Sequence, residues 1–156
     1  MLIALDPGPV STGFVVCDDA KVVRSGHLRN GNICEVFPLD AKAHTLAIEM
    51  IASYGMPVGR EVFETCVWIG RFMEQWGAPD RVNLVYRKDV KMHLCGSPRA
   101  KDANIRQALI DLFEPTGGGK TPQIGTKAKP GPLYGVSTHA WPALGVAVTV
   151  QARTAT

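Results

Sequence analysis

The sequence predicts an α/β domain built on one mixed five-stranded sheet, three antiparallel strands followed by parallel ones, with helices on its faces. Three observations predict it. Three short β-branched runs come first, separated only by turn chemistry. Strand and helix patterns then alternate, which is the signature of parallel pairing through crossover helices. Finally, 156 residues at 46% apolar content suffice for one core and one domain.

The first strand is "LIAL", running to Asp6. The second is "GFVVC" from Gly13, and the third "AKVVRSGHLR" from Ala20, with "PGPVST" and "DD" as the turns of a meander. "NGNICEVFPLDAK" reads as a loop, and "HTLAIEMIA" as a buried strand interrupted by Glu49. After the breaker "YGMPVG", the segment 60–76 has helical periodicity. Val62, Cys66, Ile69, Met73 and Trp76 form a stripe that Phe63, Val67 and Phe72 widen, enough for two surfaces: the sheet and either more core or a subunit contact.

"RVNLVYR" is a fifth strand. Ser97-Pro98 looks like a helix start, a capping hydroxyl ahead of proline at the first helical position, and Ile105, Leu109, Leu112 and Phe113 supply the core stripe of that helix. The Gly/Pro-rich, basic segment at about 115–132 reads as a flexible loop. The small residues and Ser/Thr start of "STHAWPALGVAVTVQA" favour a closing buried helix over a strand.

The net charge of +3 does not by itself announce a polyanion partner, but its distribution is uneven. From Arg87 to Lys129 there are nine Lys/Arg against four Asp/Glu. Four dispersed cysteines without a C-x-x-C pair imply neither a zinc knuckle nor a disulfide framework. No apolar run reaches the ~18 to 20 residues of a membrane span and no basic leader opens the chain, so the expectation is a reducing, cytoplasmic setting without membrane partners.

Asp6 and Glu49 are the informative residues. An aspartate before Pro-Gly can simply open a turn. Yet both carboxylates close or interrupt apolar strand runs, where an unpaired charge is costly. Each therefore needs an Arg or Lys, a set of hydrogen bonds, or a metal. No basic residue is close in sequence to either one, which makes a hard divalent cation between neighbouring strands a serious option. "GGGKT" is a decoy for a phosphate loop. Glu114 stands where the first glycine is required, and the segment follows a helix rather than a strand.

"IALDPGPVSTGFVV" resembles the opening of the RuvC family of Holliday-junction resolvases, in the RNase H-like superfamily, whose first strand ends in D-P-G followed by T-G. "LAIEM" is similar to that family's second acidic strand, "VKMHLCGSPRAKDANIRQAL" to its V-K and basic helix start, and "HAWPALGVAV" to its last helix. The matches run in order from residue 2 to about 150, and their flavour is closest to resolvases of bacteriophages and prophages.

The resemblance implies an RNase H-like fold and a homodimeric nuclease. It implies cleavage of branched DNA with two Mg²⁺ or Mn²⁺ ions per site, in the cytoplasm of a bacterial host cell. It makes Asp6, Glu49 and His139 the metal ligands; an imidazole ligand would favour Mn²⁺. The family's next acidic position is Pro142 here, and Asp102 is the candidate substitute, placed three residues before Ile105 and so on the core-facing stripe. Against that role, an acid in a first turn also favours the helix dipole and can pair with Arg106. Lys91, Arg99, Lys101 and Arg106 surround a helix start suited to phosphate, and Lys120, Lys127 and Lys129 add basic charge on the loop. The wide apolar surface of the 60–76 helix, read from its own stripe, is the candidate dimer contact. Two other readings stay open: an RNA-processing nuclease of the same superfamily, and a junction-binding protein that does not cleave. An actin-like ATPase is disfavoured, because that fold needs two similar lobes.

Overall fold

The structure, a computed structural model, describes residues 1–156. Strands β1 (Leu2–Pro7), β2 (Ser11–Asp18) and β3 (Lys21–Arg29) form the antiparallel meander. Strands β4 (Thr45–Met50) and β5 (Asn83–Tyr86) add in parallel on the other side of β1, giving the order β3-β2-β1-β4-β5. This is the expected mixed sheet.

Strand alternation divides the core in two. Ile3, Leu5, Leu46 and Ile48 face helix α1 (Arg60–Trp76), while Leu2, Ala4, Ala47 and Val85 face α2 (Arg87–Cys95), α3 (Asp102–Asp111) and α4 (Trp141–Thr154). Helix α4 lies along β1, β2 and β4 with Ala143 and Ala147 buried, and its buried Gly145 lets α2 come close, since a Cβ there would lie 3.0 Å from Val90. No helix is long and apolar enough to cross a membrane.

Several expectations change. On α1 the residues that reach the sheet side are Thr65, Ile69, Phe72 and Trp76, whereas Phe63 and Val67 are exposed and Val62, Cys66 and Met73 half-buried. The widened stripe is thus not all core. Ser97-Pro98 does not start a helix. Gly96 ends α2 in a left-handed conformation, residues 97–100 form a reversing turn, and α3 begins at Asp102, where Lys101 N donates to Asn104 Oδ1. Helix α2 itself was not legible, because "RKDVKMHLC" shows only Val90 as a fully buried position. Ile110 rather than Leu112 faces the core at the end of α3.

The 115–132 segment carries hydrogen bonds of its own. Gly117 N and Gly118 N donate to Pro122 O and Lys129 O, Gly131 N donates to Ile124 O, and Gly125 bridges Pro130. Its glycines allow backbones to touch there.

Candidate active site

A single row of residues crosses the sheet at the C-terminal ends of its parallel strands. Asp6 pairs with Gly13 on β2, and Gly13 with His27 on β3. On the other side, Leu5 lies opposite Ile48, so Asp6 and Glu49 are the next residues of two hydrogen-bonded strands and share a face. Glu49 pairs with Val85 on β5, which puts Arg87, two residues on, on that same face as the first residue of α2.

The turn after Asp6 is held from beneath. Thr12 Oγ1 donates to the buried Asn30 Oδ1 at 2.6 Å, and Asn30 Nδ2 donates to Gly8 O at 2.9 Å. Pro-Gly-Pro is therefore a braced loop that fixes where β1 releases Asp6. Thr12 enters the sequence reading only through the T-G match and Asn30 not at all, since a polar pair 18 residues apart has no local signature.

His139 reaches the row by backbone contact. A Cβ added to Gly13 would lie 1.8 Å from His139 O, so only glycine lets the start of α4 sit on β2. The ring of His139 stacks on His27, with centroids 4.1 Å apart and planes 15° from parallel. Together with Asp6 the two rings line a cleft of about 330 Å³. Burial and the neighbouring His139 hold the imidazole of His27 below its usual pKa. Gly13→Ala should lower stability by about 3 kcal/mol, at the upper end for overpacking, because backbone cannot step aside as a flexible side chain can. Urea unfolding checks this; an unchanged midpoint would show that α4 can shift freely.

The electrostatics of the pair are unfavourable. Burial raises Asp6 to a pKa of about 6, with Asp102 adding to the rise and Arg87 and His139 opposing it. Glu49 is raised to about 7, first by burial, then by the charge of Asp6, against Arg87 and Lys91. Arg87 Nη1 stands 3.8 Å from Glu49 Oε2, too far for a hydrogen bond, and both of these buried atoms lack any hydrogen-bond partner. An arginine distant in sequence thus does lie beside Glu49, one of the three kinds of partner the carboxylate could have had, but it does not satisfy the carboxylate.

Asp102 needs correction. Its side chain is 87% exposed rather than core-facing, and it pairs with Arg87 Nη2 instead of Arg106. It bears on Asp6 and Glu49 by charge and through Arg87. Arg106 instead covers the ring of Trp141, 4.8 Å from its centroid. Arg106, Arg87, Asp102, Trp141 and Pro142 line a second cleft, of about 650 Å³, beside the carboxylates. Lys91 joins Arg87, Lys88 and Tyr54 around a third. Arg99 and Lys101 are exposed on the turn before α3, and Lys120, Lys127 and Lys129 are exposed on their loop, lining none of these clefts.

No three His, Cys, Asp or Glu side chains converge on one point. The residues nonetheless suit a hard divalent ion, which commonly takes one or two protein carboxylates and completes its shell with water and substrate phosphate. Adjacent, largely buried, mutually repelling carboxylates with an unmatched oxygen are such a donor set. Arg87 and His27 are the site residues that sequence reasoning missed. The register could have revealed both, Arg87 by the two-residue period from Val85 and His27 by its place opposite Gly13.

No family model matches the chain, and neither does any curated protein sequence. Among solved structures, that of Thermus thermophilus RuvC matches with a TM-score of 0.61 at 18% identity, over 99% of this chain and 96% of that one. T. thermophilus RuvC in complex with a Holliday junction substrate matches with a TM-score of 0.63 at 15% identity, over 95% and 90%. The chain therefore has the RuvC-like, RNase H-like fold over essentially its whole length.

Proposed function

We propose that the protein is a divalent-metal-dependent endonuclease that cuts branched DNA, four-way Holliday junctions in particular, and acts as a homodimer. The observation that carries this reading is the Asp6–Glu49 pair: two largely buried carboxylates at the ends of adjacent parallel strands, with Glu49 Oε2 itself buried and unmatched. The fold supports it, being shared with a RuvC whose structure holds a Holliday junction.

Asp6 and Glu49 would hold Mg²⁺ or Mn²⁺, two ions in the fullest form of the scheme, with His139 as a further ligand or as the group that steers the attacking water. When bound, such ions supply a hydroxide near neutral pH and offset charge on the leaving 3′-oxygen. His139 is held for either role by its stack on His27. Lys91, Arg99, Lys101 and Arg106 attract the phosphate backbone around the α3 start, and the loop lysines extend the basic surface.

Nicking of a synthetic four-way junction against linear duplex, in Mg²⁺, Mn²⁺ and chelator, tests the reading. Metal-dependent, junction-preferring product supports it; equal cutting of duplex, or cutting in chelator, contradicts it. Arg87 beside Glu49, with no third ligand converging, favours a second reading in which the junction is bound but not cut. Tight junction binding with no product in either metal would select it.

Two symmetric cuts are natural to a two-fold dimer. Phe63 and Val67, 63% and 56% exposed on α1, are the proposed contact. Val67→Glu should convert a sedimenting dimer to monomer and uncouple the two nicks; a wild-type monomer in the presence of junction would contradict the assignment.

A further inference from the structure

Arg87 occupies an unusual position between two carboxylates. Its Nη2 is bonded to exposed Asp102, while Nη1, buried, stops 3.8 Å short of Glu49 Oε2 and bonds to nothing. A dedicated Arg–carboxylate pair closes to a direct, often bidentate contact. Here the exposed acid takes the direct bond, and the buried acid, 14% exposed at the side chain, receives only proximity. Buried carboxylates left with no cation at all are strongly destabilising, so this proximity matters to the fold.

We infer that Arg87 is a displaceable counter-cation: it offsets the Asp6–Glu49 pair while no metal is bound, and its bond to Asp102 holds it aside when a divalent ion takes the pair. Asp102 is then a positioning residue that acts through Arg87 and not a ligand. The inference rests on the divalent-ion reading above. Its consequence is competition. Arg87 lowers metal affinity because its charge, at a distance of a few ångströms in a partly buried site, repels the incoming ion.

Mn²⁺ titration calorimetry of the whole protein, with thermal unfolding in chelator alongside, tests it. Arg87→Met should bind Mn²⁺ at least about tenfold more tightly than wild type, and its unfolding temperature in chelator should fall. Asp102→Asn should bind more weakly, since Arg87 is then free to turn onto Glu49. In the Arg87→Met background Asp102→Asn should cost clearly less than in wild type, leaving only the loss of its own negative charge near the pair, a non-additivity that a direct ligand would not show. Arg87→Lys, which keeps the charge, should stay near wild-type affinity.

Binding by wild type that is unchanged or weakened in Arg87→Met overturns this inference alone. Equal losses from Asp102→Asn in both backgrounds overturn the role of Asp102. Binding in Arg87→Met but not in wild type supports the competition outright. No binding in either overturns the competition together with the divalent-ion reading. If circular dichroism shows Arg87→Met unfolded in chelator, Arg87→Gln, whose amide can still donate to Asp102, is judged by the same outcomes.

Discussion

Asp6→Asn should abolish metal-dependent junction cleavage, by at least roughly 10³-fold, equivalent to about 4 kcal/mol of transition-state stabilisation, while making the metal-free protein more stable. The two halves of this result come from one cause. Asp6 sits on a strand whose other end is packed core, and burial has already pushed its carboxyl up to about 6. At neutral pH the charge opposes folding, so the neutral amide relieves both its own desolvation and its repulsion of Glu49. A residue kept for stability would show the reverse. Single-turnover nicking and thermal unfolding of the same preparations check it. Loss of cleavage with a lowered unfolding temperature would make Asp6 structural, and retained cleavage would remove it from the site.

Metal-free wild type should lose stability as pH rises from about 4 to about 7, opposite to the usual behaviour of surface carboxylates. Asp6 moves from 3.8 to about 6 and Glu49 from 4.5 to about 7, so within this window the folded state holds more protons than the unfolded one. Stability from these groups is full below the unfolded values and is lost as pH climbs through the folded ones. The total is on the order of a few kcal/mol, because a tenfold change in a group's proton affinity on folding corresponds to about 1.4 kcal/mol. Asp6→Asn should flatten the profile, since it removes one raised carboxyl and part of the push on the other. Mn²⁺ at pH 7.5 should restore what wild type has lost. A wild-type profile that rises with pH and superimposes on that of Asp6→Asn would contradict the coupled pair.

The large features were legible because they are local. The meander follows from "PGPVST" and "DD" between β-branched runs, and a carboxylate at the end of "LIAL" or within "LAIEM" is visible wherever the strand pairs. What the sequence hid depends on what meets what. Phe63 and Val67 belong to the same periodic helix as Ile69 and Phe72, and only the sheet decides which side it covers. Ser97-Pro98 has the chemistry of a helix start, but the reversal out of α2 uses it as a turn. Asp102 falls at helical spacing from Ile105, yet as the first residue of α3 it projects outward to Arg87. Arg87 escaped notice as a site residue because its proximity to Glu49 is across strands and far along the chain.

The central claim is that Asp6 and Glu49 form one divalent-cation site, and a crystal of the protein soaked in Mn²⁺ tests it most directly. An anomalous peak between the two carboxylates, within coordinating distance of both, is the predicted result. Absence of that peak at saturating Mn²⁺, with Arg87 closed onto Glu49 in a direct bidentate pair, would contradict it.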